Sequence, residues 1–247
     1  MLKIYFLFFS CCLAFIRDDL NSEKLLRKMY DRYHGKWYRS YTFIQTTESY
    51  KNDTIENKTT WYEAVSFPDK FRIDFGDPSE GDAVIFRNDS VYSFQKGQLK
   101  TKGLDRNDLT FLLGGLYFYS FDEVLKQLTS LHYDLSRFHS DTWKGKDVYV
   151  IGAIGQDEKV NQLWIDKENL VLVRMVKYDD KRKEEGLFEN HMKLEGGWTE
   201  TQAIFYINDQ LVQKEYYYDC KVNPSLDPAV FDPSAFGKVH WYKSLNH

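Results

Sequence analysis

The chain has 247 residues with 33 basic and 37 acidic side chains, and its formal net charge of −4 excludes the strongly basic surface that nucleic acid requires. Aromatic residues make up 17 % of the sequence, and rings favour β-strands and flat apolar surfaces. With only five Pro and fourteen Gly, a long disordered tract is not expected. These properties predict one large β-rich domain with no nucleic-acid partner.

The first fourteen residues have the layout of a secretory signal. Lys3 supplies a positive end, an apolar run follows, and Cys12-Leu13-Ala14 offers the small residues of a cleavage site. The run is too short to cross a bilayer. We predict a signal peptide over residues 1–14 and a mature domain over residues 15–247. Two alternatives stay open: a buried N-terminal strand or helix, and a lipid anchor at Cys11, although the residues after Cys11 are unusually apolar for a tethered chain.

A helix is the first element expected in the mature chain. Ser22 can cap it, Gly35 can end it, and apolar side chains recur between them at helical spacing, namely Leu25, Leu26, Met29, Tyr30 and Tyr33. Since only one face is apolar, this helix should lie against a sheet.

From residue 36 onward the apolar period changes to two, which indicates antiparallel strands. Asn88-Asp89 and Asn208-Asp209 are two-residue hairpin turns. In residues 71–75 one face should be buried and the other wet. The highly charged residues 179–185 are expected to form a solvated loop. The predicted strands cover residues 37–50, 58–67, 71–75, 83–87, 90–95, 147–154, 160–166, 170–178, 187–194, 198–207 and 210–222, and we estimate roughly 10–12 strands in all.

The middle of the chain interrupts the strands with helical segments. Residues 105–119 are rich in Leu and Phe, and Ser120 with Glu123 forms a capping box that opens a further helix. Helices inserted in a β-meander are expected to cover one end of the sheet. Residues 105–131 are therefore predicted to form a lid, whereas the tail over residues 223–237 holds three of the five prolines and should be irregular.

A search for chemistry finds no catalytic set. The six histidines lie in no zinc-binding spacing, and no nucleophile elbow or phosphate-binding loop is present. Cys220 would be the only cysteine of the mature chain, and no base is placed beside it by the sequence. We therefore predict no enzymatic activity, no cofactor and no metal.

The sequence does have a surplus of apolar side chains. In several predicted strands aromatic residues occupy consecutive positions, as at Trp61-Tyr62, and would therefore lie on both faces of the sheet. One interpretation is a curved sheet around an apolar hollow that suits acyl chains, since burial of each CH₂ is favourable by about 0.8 kcal/mol. The alternative is that every ring belongs to an ordinary core.

Four motifs in order carry a family resemblance: the proline-turn strand at residues 67–78, the hairpin at residues 84–94, a second hairpin at residues 163–169, and the stretch at residues 222–231. Together they resemble the LolA-like outer-membrane lipoprotein-sorting family. The resemblance implies a mainly β (α+β) fold, an unclosed antiparallel β-barrel with an N-terminal helix and a central helical lid. It also implies a hollow that shelters lipoprotein acyl chains in the periplasm. One departure is Phe67, which stands where the best-known carriers have a lid-latching Arg.

The predicted ligand-binding side chains are inward rings and aliphatics of the sheet and of the lid: Phe71, Ile73, Phe75, Tyr92, Phe94, Phe111, Leu112, Leu116, Leu125 and Leu128. The expected partner is an acylated lipoprotein or lipid, with an inner-membrane release complex and an outer-membrane acceptor as further candidates, and the carrier should be a monomer. The alternative is a periplasmic sensor or scaffold of the same fold that regulates a membrane partner. An enzyme on a barrel is the third and least favoured interpretation.

Overall fold

A computed structural model describes residues 20–157, 159–239 and 241–242, so the predicted signal peptide and Cys11 lie outside the described residues. The helices are α1 (Ser22–Tyr33), α2 (Asp108–Leu112) and α3 (Phe121–Ser130). The strands are β1 (Ser40–Lys51), β2 (Thr54–Ser66), β3 (Lys70–Phe75), β4 (Ala83–Arg87), β5 (Ser90–Gln95), β6 (Gln98–Leu104), β7 (Phe138–Trp143), β8 (Lys146–Ile151), β9 (Gln162–Asp166), β10 (Leu172–Asp179), β11 (Arg182–Glu189), β12 (Met192–Leu194), β13 (Gly197–Thr199), β14 (Gln202–Ile207) and β15 (Gln210–Val222).

Thirteen of these strands form one antiparallel sheet in the order β6-β5-β4-β3-β2-β1-β15-β14-β11-β10-β9-β8-β7, while β12 and β13 pair separately. The sheet does not close, because β6 and β7 are its two edges. This confirms the unclosed antiparallel architecture. The estimate of 10–12 strands is too low, because neither edge strand was predicted. Strand β6 is exposed at every position, so it has no buried face that would produce an alternating pattern.

Helix α1 lies on the concave side of the sheet with Leu25, Leu26 and Met29 buried. Its N-cap is Asn21, whose Oδ1 accepts the backbone N–H of Lys24 at 2.9 Å. The prediction of Ser22 as the cap is therefore wrong by one residue. The Ser22 hydroxyl is directed away from the helix end and donates to the carbonyl oxygen of Arg137 at 3.2 Å.

The hairpin turns form as expected, with both residues of Asn88-Asp89 and of Asn208-Asp209 at positive φ. The charged segment 179–185 does not behave as a free loop, because β11 starts at Arg182 and pairs with β10. Glu185 accepts from Arg174, whose guanidinium is buried, at 2.5 Å. Asp179, Asp180, Lys181 and Arg182 are exposed at the hairpin turn, as predicted for a solvated segment, whereas Glu185 pairs with Arg174 on a covered face of the sheet.

The convex face of β3 is also covered, contrary to the predicted wet face. Arg72 and Asp74 are 2 % and 0 % exposed and form a two-point ion pair at 2.9 and 2.8 Å. Arg72 donates to the carbonyl oxygen of Val230 at 3.1 Å, and the Trp241 indole donates to Asp74 at 3.0 Å. The C-terminal tail, irregular as predicted, thus seals this face through polar groups that a local strand pattern cannot anticipate.

The lid comprises α2, a 3-10 turn at Gly115–Phe118 and α3. Ser120 accepts the backbone N–H of Glu123 at 3.3 Å, which confirms the predicted N-terminal cap of α3. A Cβ atom on Gly115 would lie 2.8 Å from the carbonyl oxygen of Pro68, so only glycine allows the lid to approach the sheet this closely. None of the helices within the described residues is long and apolar enough to cross a membrane.

Candidate functional site

A cavity of about 150 Å³ lies between the concave face of the sheet and the α2 end of the lid. An engineered cavity of about this size in another protein stays dry and holds a benzene molecule, so the space suits one ring or a short aliphatic segment. Its wall is mostly aromatic and aliphatic. The lining residues are Tyr38, Tyr41, Phe43, Trp61, Glu63, Val65, Phe67, Phe71, Ile73, Asn107, Leu109, Thr110, Leu113, Thr199, Glu200, Phe205, Glu215 and Tyr217.

The register of three neighbouring strands builds the sheet side of the cavity. Phe43 of β1 lies opposite Glu63 of β2, and Glu63 lies opposite Ile73 of β3. Directly paired residues share one face of a sheet, so this row points into the hollow as a unit. The next row contains Val65 and Phe71, which are also paired.

The lid side of the cavity comes from α2 and the residues that flank it, chiefly Leu109 and Leu113. A second void of about 30 Å³ lies beneath α1 and α3. Leu113 and Glu200 border both spaces. A single leucine and a single carboxyl therefore form part of the partition between the two voids.

Three of the predicted binding residues belong to β3, and the structure places two of them at the cavity. Phe71 and Ile73 line it directly. Phe75 does not, but its ring packs edge-on against Trp61, a lining residue, with centroids 4.9 Å apart. Phe75 thus lies on the same face of the sheet, beside the cavity wall.

Tyr92 and Phe94 of β5 lie on the opposite face of the sheet from the cavity. Phe94 pairs with Ala83, which in turn pairs with the convex-side residue Asp74. Phe94 stacks on Phe236 of the C-terminal tail with ring centroids 3.9 Å apart. The prediction that these two rings face the cavity is wrong. Rings at alternate positions of β5 show that one face is buried, but the local sequence does not show that the C-terminal tail is what covers it.

The predicted lid residues divide between two environments. Leu112, Leu116 and Leu128 line the smaller void. Phe111 is fully buried and Leu125 is half-buried in the core, and neither borders either void. Ligand contact by the lid residues stays a prediction, and the structure adds Leu109 and Leu113 as those nearest the larger cavity.

Phe67, which departs from the sequence pattern of the resembling family, joins the sheet to the lid by an apolar contact. Its ring stacks on Phe118 with centroids 5.6 Å apart and planes at 8°. Phe67 also lines the cavity. An aromatic pair therefore occupies the place of a charged latch.

Three carboxyl groups at the cavity were missed by the sequence analysis: Glu63, Glu200 and Glu215 are only 3 %, 7 % and 7 % exposed. Burial raises the pKa of Glu200 to about 8 and the pKa of Glu63 well above its ordinary value. Burial also raises the pKa of Glu215. A detectable signal existed for Glu63, because it shares strand parity with the apolar neighbours Trp61 and Val65.

The polar groups around these carboxyls form a short hydrogen-bond network. Glu215 accepts from the Tyr217 hydroxyl at 2.6 Å and from the Gln213 amide at 2.5 Å. The Tyr41 hydroxyl donates to Cys220 Sγ at 3.0 Å. Burial raises the pKa of the Cys220 thiol, which opposes the thiolate form that a nucleophile needs. Among the described residues, no group of His, Cys, Asp and Glu side chains could hold a metal ion.

Comparison with known proteins identifies the fold. No family model and no curated protein matches the sequence. A DUF1329 family protein from Desulfovibrio piger has a similar structure, with a TM-score of 0.58 at 16 % identity over 87 % of this chain and 97 % of that one. A putative outer membrane lipoprotein-sorting protein domain from Vibrio parahaemolyticus gives 0.58 at 13 % identity, covering 86 % and 97 %. A LolA superfamily protein from Nitrosomonas europaea gives 0.55 at 13 % identity, covering 86 % and 97 %.

These similarities show that the chain has the fold of the LolA-like proteins: an open antiparallel barrel with helices on its concave side. The resemblance identified from the sequence motifs is confirmed at the level of fold.

Proposed function

We propose that this chain is an exported binding protein that shelters the apolar part of an amphiphile, an acylated lipoprotein or a free lipid, and carries it through the periplasm towards the outer membrane. The observation that carries the proposal is the cavity of about 150 Å³, walled largely by rings and aliphatic side chains. Protein interiors normally pack without such spaces, so the apolar hollow supports the proposal of an apolar ligand. Each CH₂ that leaves water for this hollow contributes about 0.8 kcal/mol.

The cavity of about 150 Å³ accommodates only the end of an acyl chain. Longer ligands require the two voids to join, and Leu113 is the apolar side chain that borders both. A shift of the lid segment that carries Leu113 would open a continuous apolar channel beneath α3. Loading and release thus depend on lid movement, as in other binding proteins that enclose their ligands.

The test compares lipid occupancy of the parent protein with that of a variant whose cavity is filled. The protein is expressed with export in a bacterial host and purified without detergent, and its bound lipids are extracted and identified by mass spectrometry. Val65→Phe places a ring in the cavity, whereas Ile55→Phe places the same ring at a position that is 49 % exposed. Circular dichroism and thermal melting check that both variants fold.

We expect acyl lipid in the parent and in Ile55→Phe, with occupancy reduced several-fold in Val65→Phe. A parent protein that carries no lipid and takes none up from vesicles would overturn the proposal. Equal occupancy in the folded Val65→Phe variant would show that lipid binds elsewhere.

A further inference from the structure

The hollow is apolar but carries an uncompensated set of acids. Glu63, Glu200 and Glu215 all border the cavity, and none of its described lining residues is Lys, Arg or His. The charged groups that act on Glu63 are the other two glutamates, and Glu215 acts on Glu200. A cavity that held only hydrocarbon would gain nothing from three carboxyls, because burial of an ionisable group without a partner is unfavourable.

The three carboxyls differ in how many hydrogen-bond donors the protein supplies to each of them. Glu215 has three side-chain donors, Tyr217, Gln213 and Gln45. Glu63 has no hydrogen-bond partner among the described residues, although it is only 3 % exposed and borders the cavity. Its neighbours across the strands are Phe43 and Ile73, which offer no donor. Glu63 is therefore a buried acceptor at the wall of the cavity.

Glu200 extends the acidic surface toward the lid. Its side chain accepts only its own backbone N–H among the described residues, and it borders both the cavity and the smaller void. A ligand group that sat between Glu63 and Glu200 would meet acceptors on two sides and rings around it.

We propose that the hollow selects an amphiphile with a cationic amine or guanidinium, whose charged group is held by Glu63 and Glu200 while its apolar chain lies against the rings of the sheet and lid. This inference rests on the proposed function and names the class of ligand. A positive group supplies the donors that Glu63 lacks and stabilises the ionised form of the carboxyls that burial opposes. The raised pKa of each carboxyl fits this assignment, because a bound cation would restore the ionised form and release a proton.

The aromatic part of the wall suits the same ligand. Trp61 and Phe71 line the cavity along with Tyr41. The face of an aromatic ring attracts a cation, so these rings can contact both the charged group and the adjoining methylenes. A fatty acid or a phosphate group lacks this complementarity, since none of the described lining residues is a basic side chain that could pair with an anion.

The experiment uses three ligands with one chain length and different head groups: dodecylamine, dodecanol and dodecanoate, each below its micelle concentration. Binding to the purified, delipidated protein is measured by isothermal titration calorimetry at neutral pH in two buffers of different ionisation enthalpy. Glu63→Gln keeps the shape of the side chain and removes its charge. Glu200→Gln is the second variant, and Glu80→Gln changes an exposed carboxyl as the matched control.

We expect the parent and Glu80→Gln to bind dodecylamine about tenfold or more tightly than dodecanol, the discrimination that one charge-assisted hydrogen bond gives. Dodecanoate should bind more weakly than either. In Glu63→Gln the amine and the alcohol should bind within about threefold of each other, with dodecanol affinity unchanged and with less proton release.

Three results would overturn the inference: equal affinity of the parent for amine and alcohol, tighter binding of dodecanoate, or an amine preference that persists in both Glu63→Gln and Glu200→Gln. In each case binding of dodecanol leaves the proposed function intact. If none of the three ligands binds, the proposed function itself fails.

Discussion

Replacement of Glu200 with Gln removes a titrating group from the partition between the two voids while it keeps the size of the side chain. The pKa of Glu200 is about 8 in the folded protein and 4.5 in the ordinary, unfolded state. Between these values the folded chain holds a proton that the unfolded chain has lost. The free energy of unfolding therefore falls as pH rises through this window, by about 1.4 kcal/mol per pH unit for one group.

From about pH 5 to about pH 7, the contribution of Glu200 amounts to a loss of about 3 kcal/mol in the parent protein. Glu63 and Glu215 act in the same direction, because burial raises their pKa values. His191, which borders the smaller void beside Glu200, acts in the opposite direction because burial lowers its pKa. The difference between parent and variant largely cancels these shared contributions.

The measurement is urea unfolding followed by tryptophan fluorescence at several pH values. We expect the parent to lose about 3 kcal/mol more than Glu200→Gln over this interval. Glu80→Gln, which alters an exposed carboxyl, should follow the parent. Parallel pH profiles for the parent and Glu200→Gln would refute the reasoning, because they would mean that Glu200 is ionised in the folded protein.

Two further predictions concern the two faces of the sheet. Arg72→Ala leaves the buried carboxyl of Asp74 without its guanidinium partner and should lower the free energy of unfolding by about 3–5 kcal/mol. In limited proteolysis, the C-terminal tail of this variant should be cleaved sooner than that of the parent. Arg182→Ala breaks an exposed pair and should cost less than about 1 kcal/mol, so similar losses in both variants would contradict this assignment. Phe67→Ala removes the stacked contact with the lid and should cost about 3 kcal/mol. It should also speed Nile red uptake in stopped-flow fluorescence, and an unchanged uptake rate would exclude Phe67 as a lid contact.

The parts of the fold that could be predicted are those determined by local chemistry. Asn88-Asp89 forms its hairpin because both residues tolerate positive φ, and β4 and β5 then pair directly across it. Ser120 caps α3 through a bond to a residue three positions away. In each case the interacting groups are neighbours in the chain, so their pattern is visible in the sequence.

The parts that could not be predicted depend on residues far apart in the chain. Phe94 and Arg72 face the C-terminal tail, which packs against them only in the folded state. Glu63 and Glu200 lie on distant segments of the chain and border one cavity because β2 and the β13–β14 connection both line it. The alternation of apolar and polar residues showed which side chains share a face of the sheet. Which segment of the chain covers each face depends on the tertiary structure.

The covered convex face has a mechanical consequence for the molecule. Ala64, Val230 and Phe231 form an apolar cluster beneath the tail, and Arg174 lies 4.6 Å from the ring centres of both Trp143 and Trp164 on the same side. These contacts involve none of the helices on the concave side. The convex face of the sheet is therefore packed independently of the lid, so we expect the proposed lid movement to leave the strands and the tail in place.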